Sequence, residues 1–189
     1  MKVRKPHNLI TEYWDDTEFF LQEAEKMETE RMSSQYPEVY NKRNLRYCIL
    51  SSFLFLEAFI NGEYFTQMNY VGQIKDLNIS QKTNLNNALK IPFEDKWSKW
   101  IIDFSKDKKF NFGNVNAFKN IKRLKIWRNQ LSHYKIHELY EVAHEIQTIK
   151  TARFAVRTAT EAVRWYYEKT NFDVPDWIVR DIFKEPVKI

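Results

Sequence analysis

The chain has 189 residues with 43% hydrophobic content, enough for one domain with a sizeable core. Three glycines and five prolines are too few for the turns of a sandwich or a doubly wound sheet, and a lone cysteine, Cys48, excludes an internal disulfide framework or a cysteine-based zinc cage. The formal charge of +5 permits a polyanionic partner without requiring one.

Thr11 is placed to cap a first helix reaching about Met32, with Tyr13, Trp14, Phe20, Leu21, Ala24 and Met27 at helical spacing. The segment "SSQYPEVYNKRN" reads as a connection containing Pro37. A second helix follows from about Asn44 to Met68. Its middle, "CILSSFLFLEAFI", is apolar on nearly every side and so belongs at the centre of a core. Ser80 is placed to cap a short third helix reaching Lys90. Pro92, with Glu94 and Asp95, opens a fourth whose stripe is Phe93, Trp97, Trp100, Ile101 and Phe104. "SKDKKFNFGN" is a basic loop. Asn114 to Thr170 contains neither Gly nor Pro. One helix of that length would reach ~85 Å, so the chain must bend, and the polar stretch Ser132 to His137 is the place. A fifth helix then ends near His133, and a long sixth runs from about Glu138. In the sixth, Leu139, Val142, Ile146, Ile149, Val156, Val163 and Tyr167 recur near every 3.5 residues, the interval of a helix packing on one long neighbour or a partner chain. Pro175 opens a short terminal helix.

The expected fold is therefore all-α: a bundle of about five to seven helices with a long helix in the C-terminal half. It forms one domain with its core over about Asn44 to Thr170, an N-terminal helix and loop before it, and a short C-terminal helix over 171–189. The N-terminus lacks an apolar signal core. The most apolar window, Cys48 to Ile60, is about 13 residues, against the ~20 that span a bilayer. These features point to a cytoplasmic protein without a membrane partner.

The fifth helix carries an anomaly. On a helical wheel Ala117, Ile121, Leu124 and Leu131 share a side with Arg128. A guanidinium on an apolar side needs a partner. Glu57, which interrupts the apolar second helix, is the acid to consider, with Asn61 one turn later on the same side. Lys119, Lys122, Arg123, Lys125 and Trp127 surround Arg128 in sequence. Cations with an aromatic can track a phosphate backbone and stack a base; a plain solvated face is the other reading.

"WRNQLSH" resembles the motif of the HEPN ribonucleases, an arginine, a polar residue and, after a short gap, a histidine. Here these are Arg128, Asn129 and His133, with a buried helix ("SSFLFLEAFIN") before and a long helix after. The resemblance implies a helical bundle, usually dimeric, that cuts RNA without metal. Many members are toxins, with cognate antitoxins, or phage-defence effectors. Others only bind nucleic acid or partner proteins.

The chemistry suits these residues. Metal-free cleavage uses the RNA 2′-hydroxyl as nucleophile, with histidine as general base and an arginine fork for the charge growing on the phosphate. Asn129 either orients the histidine or hydrogen-bonds the phosphate. On an unbroken helix Arg128 and His133 would diverge by ~140°. Either His133 lies past the helix end or Arg128 serves a site across the dimer. His133, His137 and His144 would line one face of a continuous helix near Glu141, a spacing zinc could use, but the expected bend separates them. With no second cluster of ligands no metal is expected, and with no Gly-rich phosphate loop no nucleotide cofactor is expected. Two readings stand: a metal-independent endoribonuclease that relies on Arg128 and His133, and a catalytically silent helical module that binds RNA or a protein.

Overall fold

A computed structural model describes residues 8–29, 37–105, 115–132 and 144–185. The described residues are helical with no strand among them, and the architecture is an all-α bundle. In chain order the elements are α1 (Leu9–Thr29), α2 (Pro37–Ile74), α3 (Ile79–Asn86), a 3₁₀ turn (Ala88–Lys90), α4 (Phe93–Asp95), a π-helical turn (Lys96–Trp100), α5 (Ile101–Phe104), α6 (Asn116–Ser132), α7 (Ile149–Thr170) and a terminal π-helical turn (Ile178–Ile182).

Several boundaries differ from the sequence expectation, each for a local reason. Asn8, not Thr11, caps α1: its side-chain oxygen accepts from the Ile10 N–H at 3.0 Å, and its carbonyl accepts from the Glu12 N–H at 3.1 Å. Helix α2 begins at Pro37, because proline is already set for the first helical turn, where its missing N–H has no partner to lose. Asn78, not Ser80, heads α3 through a reciprocal capping box with Gln81. The long C-terminal helix starts at Ile149. Thr148 caps it, accepting from the Thr151 N–H at 3.2 Å. Glu138, the expected start, lies outside the described residues, as does the basic loop after Ser105. At the other end of α7, Asn171 takes a left-handed conformation (φ 57°). Its N–H reaches the Tyr167 carbonyl at 2.8 Å, a termination that asparagine tolerates well.

The chain divides into two compact units, Met1–Phe55 with Lys122–Ala159, and Leu56–Ile121 with Thr160–Ile189. In the first unit Ala24, Leu45, Cys48 and Ala152 form a buried cluster, with Phe20, Leu21, Ile149 and Val156 packed on it. Trp14 meets Phe55 at a centroid distance of 5.0 Å. Burial raises the Cys48 thiol pKa to about 12, in line with its expected role as core filler. In the second unit Tyr64 stacks on Trp100 at 4.1 Å, and Phe59 lies edge-on to Tyr166 at 5.3 Å. Tyr64 donates to Asp103 at 2.9 Å, and Asn84 donates to the same oxygen.

Of the stripe expected from the sequence, Val163 and Tyr167 are buried and Ile146 is half-buried, while Leu139 and Val142 lie outside the described residues. Ile149 and Val156 are half-buried. The fully buried positions are Ala152, Ala155, Ala159, Ala162 and Val163, followed by Tyr166. Their interval is still near 3.5 residues, but small side chains form the seam, so a neighbouring backbone can come close. The Cys48 sulfur lies 4.0 Å from the Ala152 carbonyl oxygen. Within α2, Tyr40–Gln73 is long and apolar enough to cross a membrane by length and composition, beyond the shorter window read from the sequence. More than half of its most apolar window is buried inside the protein, which is how a core helix packs.

Candidate functional site

Helix α6 buries Phe118, Ile121, Leu124 and Leu131, the 3.6-residue line of an amphipathic helix. Arg128 falls on that line and is half-buried. Its guanidinium carbon sits 4.9 Å from the centroid of the Phe53 ring, and Phe53 is itself 2% exposed. Nη1 donates to Oδ1 of Asn129 at 3.0 Å. Among the described residues of its unit no carboxylate pairs with Arg128. A partly desolvated cation is thus held by an aromatic face, worth about 0.5–2 kcal/mol, and by its sequence neighbour. The remaining N–H donors of its fork have no described acceptor. Asn129 uses its oxygen on Arg128 and so braces the guanidinium, a role the sequence did not suggest. Both lie within the last five described residues of α6 (Asn116–Ser132), and His133 lies outside the described residues.

The cationic neighbours divide by exposure. Lys119, Lys122 and Arg123 are exposed, and Lys125 and Trp127 are half-buried. Arg123 lies over Trp127 at 5.6 Å and over Phe154 of α7 at 5.7 Å. The two rings meet edge-to-face at 5.3 Å and 68°. Trp127 is therefore one half of an aromatic pair rather than a lone platform. Phe154 was not legible as a site residue. The available signal was Lys150, Arg153, Phe154 and Arg157 at one-face spacing on α7.

The sequence pairs Glu57 with Arg128, but the two fall in different units, and each has a partner inside its own. Glu57 is half-buried and faces Lys96, whose charge it favours. Burial is the larger influence and lowers the Lys96 pKa. Lys96 is 3% exposed, donates to Oδ1 of Asn61 at 2.9 Å and lies 5.4 Å from the Trp100 ring centroid. Lys96, which the sequence reading did not single out, is thus the cation beside Glu57 and Asn61. It arrives on the π-helical turn, whose wider winding turns Lys96, Trp97 and Trp100 all inward.

Of the rival zinc residues only His144 is described, and it is exposed; among the described residues no three His, Cys, Asp or Glu side chains gather as a metal site. What the arrangement offers chemically is a braced guanidinium with unused donors, beside a cationic and aromatic helix face. No family model matches this chain, and comparison with curated proteins and with solved structures likewise returns no match.

Proposed function

We propose that this protein is a metal-independent endoribonuclease of the HEPN type. The observation that carries the reading is Arg128: half-buried over Phe53, braced by Asn129, with fork donors to spare and no described carboxylate in its unit. A phosphodiester supplies the charge and the paired oxygens that such a fork lacks. In the reaction the 2′-hydroxyl attacks the adjacent phosphorus and gives its proton to the His133 imidazole. Arg128 stabilises the charge on the phosphoryl oxygens. The bond to the 5′-oxygen breaks, leaving a 2′,3′-cyclic phosphate and, once that oxygen is protonated, a 5′-hydroxyl. Lys119, Lys122, Arg123, Lys125 and Trp127 serve as contacts along the strand. The family resemblance adds a homodimer with two copies of the motif at one cleft, a role as toxin or defence effector, and a cognate antitoxin or partner protein.

The second reading is a catalytically silent module that binds RNA or a protein. It is favoured by the contact of Arg128 with Phe53, which is also what a purely structural arginine makes. RNA cleavage in EDTA by wild type and by His133→Ala separates the two. The ribonuclease reading expects a cyclic-phosphate product that disappears in the variant. Equal cleavage in both, or none in either, removes it.

A further inference from the structure

In the first unit α6 and the opening turns of α7 enclose a cleft of about 650 Å³, within the range of small-ligand sites. Its aromatic part is the edge-to-face pair Trp127 and Phe154, both half-buried. Its cations are Arg123, Lys150, Arg153 and Arg157, and none of its described lining residues is acidic. Arg153 is already paired with Glu25 at 2.7 Å. Arg123 and Lys150 have no carboxylate partner among the described residues of the unit. Arg123 and Arg157 both lie over the Phe154 ring, at 5.7 and 5.5 Å. A cleft lined by cations and by no described acid favours an anion. The ring faces and the flat guanidinium beside them favour a planar aromatic group.

We infer that this cleft is a nucleotide subsite, with the base stacked at Trp127 and Phe154 and the phosphate held by Arg123, Arg157 and Lys150. The nucleotide is either free or one residue of a single-stranded RNA. The subsite shares Arg123 and Trp127 with the ribonuclease reading but none of its chemistry. A chain that cleaves nothing can still bind here, so the two readings fail in different assays.

Calorimetric titration of the full chain tests it with four probes: AMP, adenosine, inorganic phosphate and a 2′-O-methyl pentaadenylate, which lacks the hydroxyl needed for cleavage. AMP or the pentamer binds, while adenosine and phosphate each bind at least about tenfold more weakly than the better of the two, because each offers only half of the recognition. Phe154→Ala and Arg157→Ala each lose about tenfold or more, with unchanged circular dichroism. Should Phe154→Ala unfold, Arg157→Glu at its exposed position carries the same test. A pentamer at least about tenfold tighter than AMP assigns a strand subsite, and equal affinities assign a free nucleotide. The inference is overturned if neither AMP nor the pentamer binds at millimolar concentration, if phosphate binds as tightly as AMP, or if the arginine variants bind like wild type.

Discussion

Arg128→Ala separates a catalytic arginine from a structural one, because the two roles have different energies. In the folded protein the side chain contributes a cation–π contact with Phe53 at 4.9 Å, about 1 kcal/mol at a half-buried site. It also contributes a hydrogen bond to Asn129, about 0.5–1 kcal/mol net, since Asn129 is half-buried and can turn to water. The expected loss is therefore about 1–2 kcal/mol, or roughly 2–8 °C in Tm for a chain of this size. Breaking a buried ion pair would cost about 3–5 kcal/mol instead. On the proposed chemistry, loss of the cation facing the reacting phosphate lowers the cleavage rate by about 10²–10³. Arg128→Lys keeps the charge near Phe53, so it stays within about 0.5 kcal/mol of wild type, yet it loses the fork and at least about tenfold in rate. Urea denaturation followed by circular dichroism gives the first quantity, and cleavage of a 5′-labelled RNA in EDTA gives the second. A stability loss of ~4 kcal/mol or more would show that Arg128 has a buried counter-charge. Cleavage by Arg128→Ala within about twofold of wild type would refute its catalytic role.

Three further outcomes follow from the packing. Ala152→Leu, at a position with no exposure where the Cys48 sulfur lies 4.0 Å from the backbone, overpacks the seam and costs about 1–3 kcal/mol in urea denaturation; a neutral result would mean the seam is loose. Lys96 has a folded pKa below its ordinary 10.5, so between those values the unfolded chain binds more protons and stability rises with pH. The stability of wild type minus that of Lys96→Met should accordingly grow from pH 8 to 10.5, a difference in which the tyrosine titrations common to both proteins cancel, and a flat difference would count against the buried ammonium. Cys48, its pKa raised to about 12 by burial, should stay unlabelled by Ellman's reagent at pH 8 and react fully in guanidinium, since the thiolate is the reactive form. Labelling of the native protein at the denatured rate would place the thiol at the surface.

The caps show how far local reading reaches. Asn8, Asn78 and Thr148 are all residue types that cap helices, yet Thr11 and Ser80, also good caps, were equally legible beside the first two. The choice between neighbours depends on which carbonyl and N–H groups the tertiary fold leaves in the first turn. Pro37 misled for a related reason, because a proline that ends one segment can equally open the next. At the site, the position of Arg128 on the apolar line of α6 was readable from spacing alone. Its contact with Phe53 was not, since spacing along one helix cannot say which ring of another a guanidinium meets.

Scarce glycine and proline, together with apolar periodicity, determined from the sequence that this protein is helical and that Arg128 belongs to a buried line. Only the tertiary structure decided that Lys96 is the cation beside Glu57 and Asn61, that alanines form the seam of α7, and that Phe154 and Arg157 join Trp127 and Arg123 around a cleft. The reason is that a 3.6-residue period specifies which face of a helix turns inward, while the identity of the neighbour is set by how close two backbones come, and that distance depends on the side chains of both.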